Sequence, residues 1–188
     1  MSDPDYCYPP AFTVLRNKLD IRDASTLEAA ERQFVAQRLL EAVPGGDFDL
    51  PHLCAIHHHL FQDVYEWAGE LRMVEIAKGG SQFQPKRYIQ SGMADIHRRI
   101  VEAEYFRGLG PDAFAAAAGP IFGDVNHVHP FREGNGRTQL QYLKQLAARA
   151  GHSLDLTRLD PETWPDASRR SNAGDHAAMT RCIRQALG

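Results

Sequence analysis

Cysteine is scarce in this chain: Cys7, Cys54 and Cys182 are the only three. A sparse, odd-numbered set does not read as a disulfide framework and suits a reducing compartment. No apolar run reaches the roughly 18 residues a membrane helix needs. The first residues, Met-Ser-Asp-Pro-Asp-Tyr, are acidic rather than basic and apolar as in a secretory leader. A membrane partner is therefore not expected, and a cytoplasmic location is. Nor is there an excess of positive charge. With 21 Lys and Arg against 24 Asp and Glu the net charge is −3, so no direct nucleic-acid partner is implied. Repeats and low-complexity tracts are also missing. What remains is 43% apolar residues over 188 positions, the composition of one packed domain spanning 1–188.

The periodicities are helical almost throughout, so the expected class is all-α. Residues 1–10 read as an extended arm with Pro4, Pro9 and Pro10, and Ala11 to Leu19 as a short helix or turn. Ser25-Thr26-Leu27-Glu28 resembles a capping box opening a helix to about Val43, stopped by Pro44-Gly45-Gly46. A second helix is expected from Pro51 to about Trp67, with Leu53, Ile56, Leu60, Val64 and Trp67 as its stripe. Residues 72–84 alternate and carry Gly79-Gly80, the one good hairpin signal. Helices follow at about 85–106 and 111–126, the latter with Phe114, Ala118, Ile121, Phe122 and Val125 on one face. Another starts around Asp160-Pro161-Glu162-Thr163-Trp164, with Pro at its first position, and a last one near Gly174.

The chemistry concentrates in residues 129–140, His-Pro-Phe-Arg-Glu-Gly-Asn-Gly-Arg-Thr-Gln-Leu. Pro130 biases His129 away from helical backbone. From Arg137 onward there is no Gly or Pro until Gly151, and Leu140, Leu143, Ala147 and Ala150 recur at helical spacing. The turn Gly134-Asn135-Gly136 thus sits at a helix N-terminus, where free N–H groups and the helix dipole suit phosphate. Glu133 can hold Mg²⁺ on such phosphates. Arg137 can fork onto one, and His129 is the group able to act as a base near neutral pH. Phe131 reads as a core anchor of the loop. His57-His58-His59 does not read as a metal site, because successive helical residues point about 100° apart and zinc on a helix prefers i, i+4 pairs. His127 reads as a helix-end residue, and His97-Arg98-Arg99 as a solvated face.

The run resembles the signature of the Fic family, His-x-Phe-x-Asp/Glu-Gly-Asn-Gly/Lys-Arg-x-x-Arg. The resemblance extends to Ile56 through Arg72, similar to the helix that ends in Trp-Ala-Gly before a β-hairpin flap, and to Tyr8-Pro9-Pro10 through Leu19. It implies a Fic-type helical bundle with a small hairpin flap beside the active site. It also implies AMP transfer from ATP, with Mg²⁺, to a Tyr, Ser or Thr hydroxyl of a target protein. His129 would be the base and Glu133 the metal ligand. Gly134, Asn135 and Gly136 would form the anion hole, and Arg137 would hold the β phosphate. The flap would clamp the target segment, with Lys78 and Phe83 as contacts.

One position departs from the signature: its second Arg falls at Leu140. The γ-phosphate contact that the family's Arg makes is then lost, and Gln141 is a neutral stand-in. A transferase with another phosphate-containing donor, or a binding module with weakened catalysis, are the alternatives this opens. The inhibitory pattern Ser/Thr-x-x-x-Glu-Gly/Asn is absent, since the one Glu followed by Gly or Asn is Glu133, four residues after His129. The resemblance then implies a separate small helical antitoxin, with DNA gyrase or topoisomerase IV subunits as targets.

Overall fold

The computed structural model describes residues 3–188 except 79, 80 and 161. Among the described residues it contains seven α-helices and one short hairpin: α1 Ala24–Arg38, α2 Leu50–Phe61, β1 Ala77–Lys78, β2 Ser81–Gln82, α3 Ile89–Glu102, α4 Pro111–Val128, α5 Asn135–Ala150, α6 Thr163–Asn172 and α7 Ala177–Ala186. The all-α class expected from periodicity is what the chain adopts. Helix α4 is the hub, packed against α3, α5, α6 and α7, while α2 packs on α1, α3 and α5. All five residues of the expected apolar face of α4 are buried. Phe48, Tyr142 and Phe122 join α2's leading turn to α4 and α5. The ring centroids of Phe48 and Tyr142 lie 5.4 Å apart, and the Tyr142 hydroxyl donates to the Phe48 carbonyl at 2.5 Å.

Element ends depart from the sequence expectations for local reasons. The α1 cap is Asp23, not a capping box at Ser25. Its Oδ1 accepts from the Thr26 N–H at 2.8 Å and from the Ser25 and Thr26 hydroxyls at 2.7 Å. Helix α1 stops at Arg38 rather than near Val43, where Arg38 forks onto Asp63 at 2.6 and 2.7 Å. Helix α2 stops at Phe61 instead of Trp67, and the chain goes on in tighter turns in which Val64, Ala68 and Glu70 donate to the carbonyls three residues back, Phe61, Tyr65 and Trp67. Helix α3 is shorter than 85–106, with 3₁₀ turns at Lys86–Tyr88 and Glu104–Phe106 on its flanks. The described part of the expected arm, residues 3–10, is not extended. They fold into turns docked by the Asp3–Arg132 ion pair at 2.5 Å and a Cys7–Leu15 bridge. Residues 11–19 form turns tied by Asn17, whose side chain bonds Leu15, Leu19 and Ile21.

The hairpin expected over 72–84 is real but small: Ala77 pairs with Gln82 and Lys78 with Ser81. Gly79 and Gly80, expected as its turn, lie outside the described residues, as does Pro161, expected at a helix start. Helix α6 begins at Thr163 behind Glu162. Residues 72–76 are not strand because their polar groups go elsewhere, as described below. The run His97-Arg98-Arg99, expected as a solvated face, is exposed only at Arg98 and is partly an ion-pair ladder. Arg98 reaches Asp95 and Glu102, Arg99 reaches Asp124, and His97 turns inward to donate to the Phe48 carbonyl at 3.1 Å.

Gly119, inside α4, sits where α7 crosses. A Cβ there would come within 3.1 Å of Thr180 Cβ and 3.2 Å of its Cα. Helix propensity favours Ala over Gly by about 1 kcal/mol, but overpacking a helix crossing costs roughly 1–3 kcal/mol. Gly119→Ala is therefore expected to lower the melting temperature, and a rise would contradict the α4–α7 contact.

Candidate active site

Helix α4 ends and α5 begins around a six-residue loop, and everything the sequence singled out between His129 and Arg137 hangs on how that loop is held. His129 closes α4 in left-handed backbone, φ 45° and ψ 64°. Pro130 keeps the residue before it out of the right-handed helix but would favour extended backbone; the left-handed turn adopted here is a costly one for a residue with a Cβ. It is held there by Arg72, which is 3% exposed. Arg72 donates from Nε to the His129 carbonyl at 2.8 Å, from Nη1 to Val74 at 2.8 Å, and from Nη2 to the carbonyls of Gln84 and Val128. Its own N–H reaches the Pro130 carbonyl at 2.9 Å. One guanidinium thus ties the flap to the loop and accounts for the irregular path of residues 72–76.

The imidazole of His129 stacks on Phe83 with centroids 3.7 Å apart. Its Nδ1 lies 3.0 Å from the Asn126 carbonyl. A carbonyl only accepts, so this contact assigns the proton to Nδ1 and leaves the Nε2 lone pair free. Burial holds the imidazolium back and takes the pKa down to about 4, against the opposing pull of the Asn126 carbonyl; the charges of Arg72 and Lys78 lower it further. His129 is neutral at physiological pH.

Phe131 is fully buried and stacks on His57 at 3.9 Å. His57 takes the Gly69 N–H on Nδ1 at 2.8 Å and donates from Nε2 to the Glu133 carbonyl at 3.0 Å, so it stays neutral, with burial pushing its pKa to about 3. His58 donates to Ala68 and His59 to Arg38. The three histidines are loop clamps pointing to three different partners.

Asn135 is a clamp as well. Its Oδ1 accepts from the Phe131 N–H at 3.0 Å and its Nδ2 donates to the Phe131 carbonyl at 2.7 Å. Gly134 has φ 80°, and a Cβ there would drive into the Phe61 ring, so only glycine fits. Its N–H is taken by Glu133 Oε1 at 2.8 Å. The first intrahelical bond of α5 is Thr138 N–H to the Gly134 carbonyl at 3.1 Å. The N–H groups of Asn135, Gly136 and Arg137 precede it and are left for a ligand. A Cβ on Gly136 would meet nothing within 4 Å, so the space over this row of donors is open.

His129, Glu133, Asn135, Gly136, Lys78 and Phe83 line one cavity of about 1230 Å³. That exceeds the roughly 300–1,000 Å³ of ordinary small-molecule pockets. The cavity continues between α5 and α6 past Gln139, Trp164 and Asn172. Gln139 is buried, yet its Nε2 has no hydrogen-bond partner. Arg137 opens on an adjoining cavity of about 510 Å³, which Glu133 also lines. Leu140 is partly buried against the core. Glu133 is half-exposed, and no group of three or more His, Cys, Asp or Glu that could hold a metal occurs among the described residues. A single carboxylate fits Mg²⁺ only as an ion shared with ligand phosphates and water.

Arg72, Asn126 and Gln139 had no signal as site residues. Glu31 had one: it falls four residues after Leu27 and four before Val35, a carboxylate in an apolar stripe.

A Fic/DOC family model matches residues 47–147. A probable protein adenylyltransferase of Sinorhizobium fredii, y4lH, is 39% identical over all of this chain and 97% of that protein. Protein adenylyltransferase VbhT of Bartonella schoenbuchensis is 39% identical over 95% of this chain, which spans 38% of that protein. Among solved structures, BepC of Bartonella tribocorum with bound AMPPNP superposes with a TM-score of 0.91 at 25% identity, covering 97% of this chain and 96% of that one. A Fic domain of Bartonella quintana with bound ADP gives 0.91 at 27% identity over 100% and 96% of the two chains.

Lysine is too compact to satisfy the carbonyls around Arg72. An unsatisfied buried carbonyl costs about 1–3 kcal/mol. Arg72→Lys is expected to lose on the order of 2–4 kcal/mol in urea unfolding and to release His129 from its stacked pose, seen as a shift of its imidazole resonances. Unchanged stability and resonances would contradict the clamp.

Proposed function

This chain belongs to the Fic/DOC family, and we propose that it works as a protein adenylyltransferase, moving AMP from ATP to a hydroxyl of a target protein. One observation carries the reading: a neutral histidine with a free Nε2 and the helix N-terminal residues Asn135 and Gly136, whose N–H groups are unused, line a common cavity, and Arg137 opens on the cavity that adjoins it. The acceptor hydroxyl gives its proton to His129 Nε2 as its oxygen bonds the α phosphorus. The bond from that phosphorus to the bridging oxygen breaks, and pyrophosphate leaves. The N–H groups of Asn135, Gly136 and Arg137 take the charge that builds on the phosphate oxygens. Arg137 holds the β phosphate. Glu133 would hold Mg²⁺ together with the phosphates, where the ion neutralises their charge. The nucleoside half fits the cleft past Gln139 and Trp164, whose unpartnered amide awaits an acceptor. Lys78 and Phe83 on the flap line the same cavity and would position the acceptor segment.

Leu140 offers no charge to a third phosphate, so a donor with a shorter phosphate tail is the second reading. The reading extends to a small helical antitoxin as partner, since the chain has no Ser/Thr-x-x-x-Glu-Gly/Asn segment of its own. It extends equally to a gyrase or topoisomerase IV subunit as target and to the cytoplasm as the place of work. No helix among the described residues is long and apolar enough to cross a membrane.

With α-³²P-ATP, Mg²⁺ and bacterial lysate, label is expected on a protein band, lost by about 10²- to 10⁴-fold in His129→Ala, the usual contribution of a general base. A charge-assisted phosphate contact is worth about 1.5–3 kcal/mol, so Leu140→Arg is expected to raise labelling by roughly 10-fold or more. Labelling that survives in His129→Ala would remove the base from the mechanism, and a flat response to Leu140→Arg would favour the other donor. A second expectation concerns pH. A histidine with its pKa near 4 is already a base throughout the neutral range, so the acid limb of kcat/KM should lie near pH 4. A limb near the unperturbed value of about 6.5 would show that the ring is not enclosed as described.

A further inference from the structure

Arg137 is not a free arm reaching into solvent. Its Nη2 is 2.5 Å from Oε1 of Glu31, a residue of α1 that precedes it by 106 positions. Glu31 is 5% exposed and stands in the apolar stripe of α1 between Leu27 and Val35. A carboxylate is not left in such a place without partners. Its other oxygen takes the hydroxyl of Tyr65, itself 2% exposed. Burial and the Glu31 charge both push the Tyr65 pKa far up, so that hydroxyl remains a donor. On the far side, the guanidinium carbon lies 4.7 Å from the centre of the Phe61 ring. Phe61 is the same ring that closes over Gly134. The arginine is therefore boxed by three elements: α1 through Glu31, α2 through Phe61, and the turn after α2 through Tyr65.

We infer that Glu31 is a positioning residue for the transfer reaction, holding Arg137 in the orientation that meets the donor's phosphates. This rests on the adenylyltransferase reading. Glu31 takes a single edge of the guanidinium. Among the described residues no hydrogen bond is made by Nε or Nη1 of Arg137, and Glu133 stands 3.7 Å from Nη2. An arginine bonded on one side keeps donors for a phosphate on the other. A long, flexible side chain ordered in advance does not have to be ordered by the ligand. The opposite role, in which Glu31 withholds Arg137 from phosphate, would be served by a carboxylate on both edges of the fork, whereas Glu31 takes one and leaves Nε and Nη1 open.

The two roles predict opposite signs. AMP transfer and Mg²⁺-ATP binding by calorimetry would be measured for the wild type, Glu31→Gln, Arg137→Ala and the double variant. Glutamine keeps the shape but loses the charge. KM for ATP and the calorimetric Kd are expected to rise about 10-fold in Glu31→Gln, with kcat changing far less. In the Arg137→Ala background the same substitution is expected to add less than about 2-fold. Tyr65→Phe, which keeps the Glu31 charge and frees its second oxygen, should move KM the same way by a smaller factor, and it serves if Glu31→Gln does not fold. An unchanged or lowered KM in both single variants, or equal losses with and without Arg137, would overturn the positioning role. A wild type that binds no ATP and transfers no AMP would instead overturn the adenylyltransferase reading itself.

Discussion

The buried guanidinium of Arg72 is the interaction on which the site depends. It joins the approach to the flap at Val74 and its exit at Gln84 to the end of α4 at Val128 and His129, far beyond them in sequence. Two otherwise unfavourable conditions are met at once. His129 stays in left-handed backbone, and the segment before the hairpin stays irregular without orphaned carbonyls. A two-residue-per-strand hairpin has little stability of its own. Phe83 reaches the His129 ring because Arg72 anchors the flap base. Burial of the charge is offset by the number of carbonyls it satisfies; burial lowers its pKa and the Glu75 carboxylate opposes that shift.

Around this clamp the protein divides its polar groups into those used internally and those kept open. Asn135, His57, Asn126 and the Gly134 N–H are used internally, and they fix the shape of the loop. The His129 Nε2, the N–H groups of residues 135–137, one edge of Arg137 and the Gln139 amide are kept open. Catalysis of phosphate-group transfer is mostly positioning and charge stabilisation. The division is what that chemistry asks for: a rigid frame whose unused donors and unused base line two adjoining cavities that share Glu133. Arg137 and Glu31 repeat the pattern of Arg72 on the opposite side of the loop, a cation held by a distant element so that its remaining valence is aimed.

How much of this was legible in the sequence follows from range. The segment 129–137 could be read because its residues act through local geometry: a proline after the histidine, glycines before a helix, an apolar stripe up to Gly151. The helical class and the core face of α4 were legible for the same reason. The two arginine clamps were not, because each reaches a residue more than 50 positions away, Arg72 to His129 and Arg137 to Glu31. Asn135 illustrates the limit. Placed in the anion turn by sequence, it contributes its backbone N–H there, while its side chain closes the loop on Phe131. Helix ends went astray where side chains outside the helix decided them, Asp23 capping α1 from before Ser25 and Asp63 drawing Arg38 off its end. Leu140 behaves as the apolar pattern suggested, packing on the flank of the core.

The central claim is that the fold delivers His129 as a neutral base with its proton on Nδ1 and its lone pair on Nε2. A ¹⁵N-imidazole NMR titration of the free protein, assigned with His129→Ala, tests it most directly. The expected result is one neutral tautomer, protonated at Nδ1, persisting down to a titration near pH 4. Protonation at Nε2, or titration near 6.5 as for an exposed histidine, would contradict it.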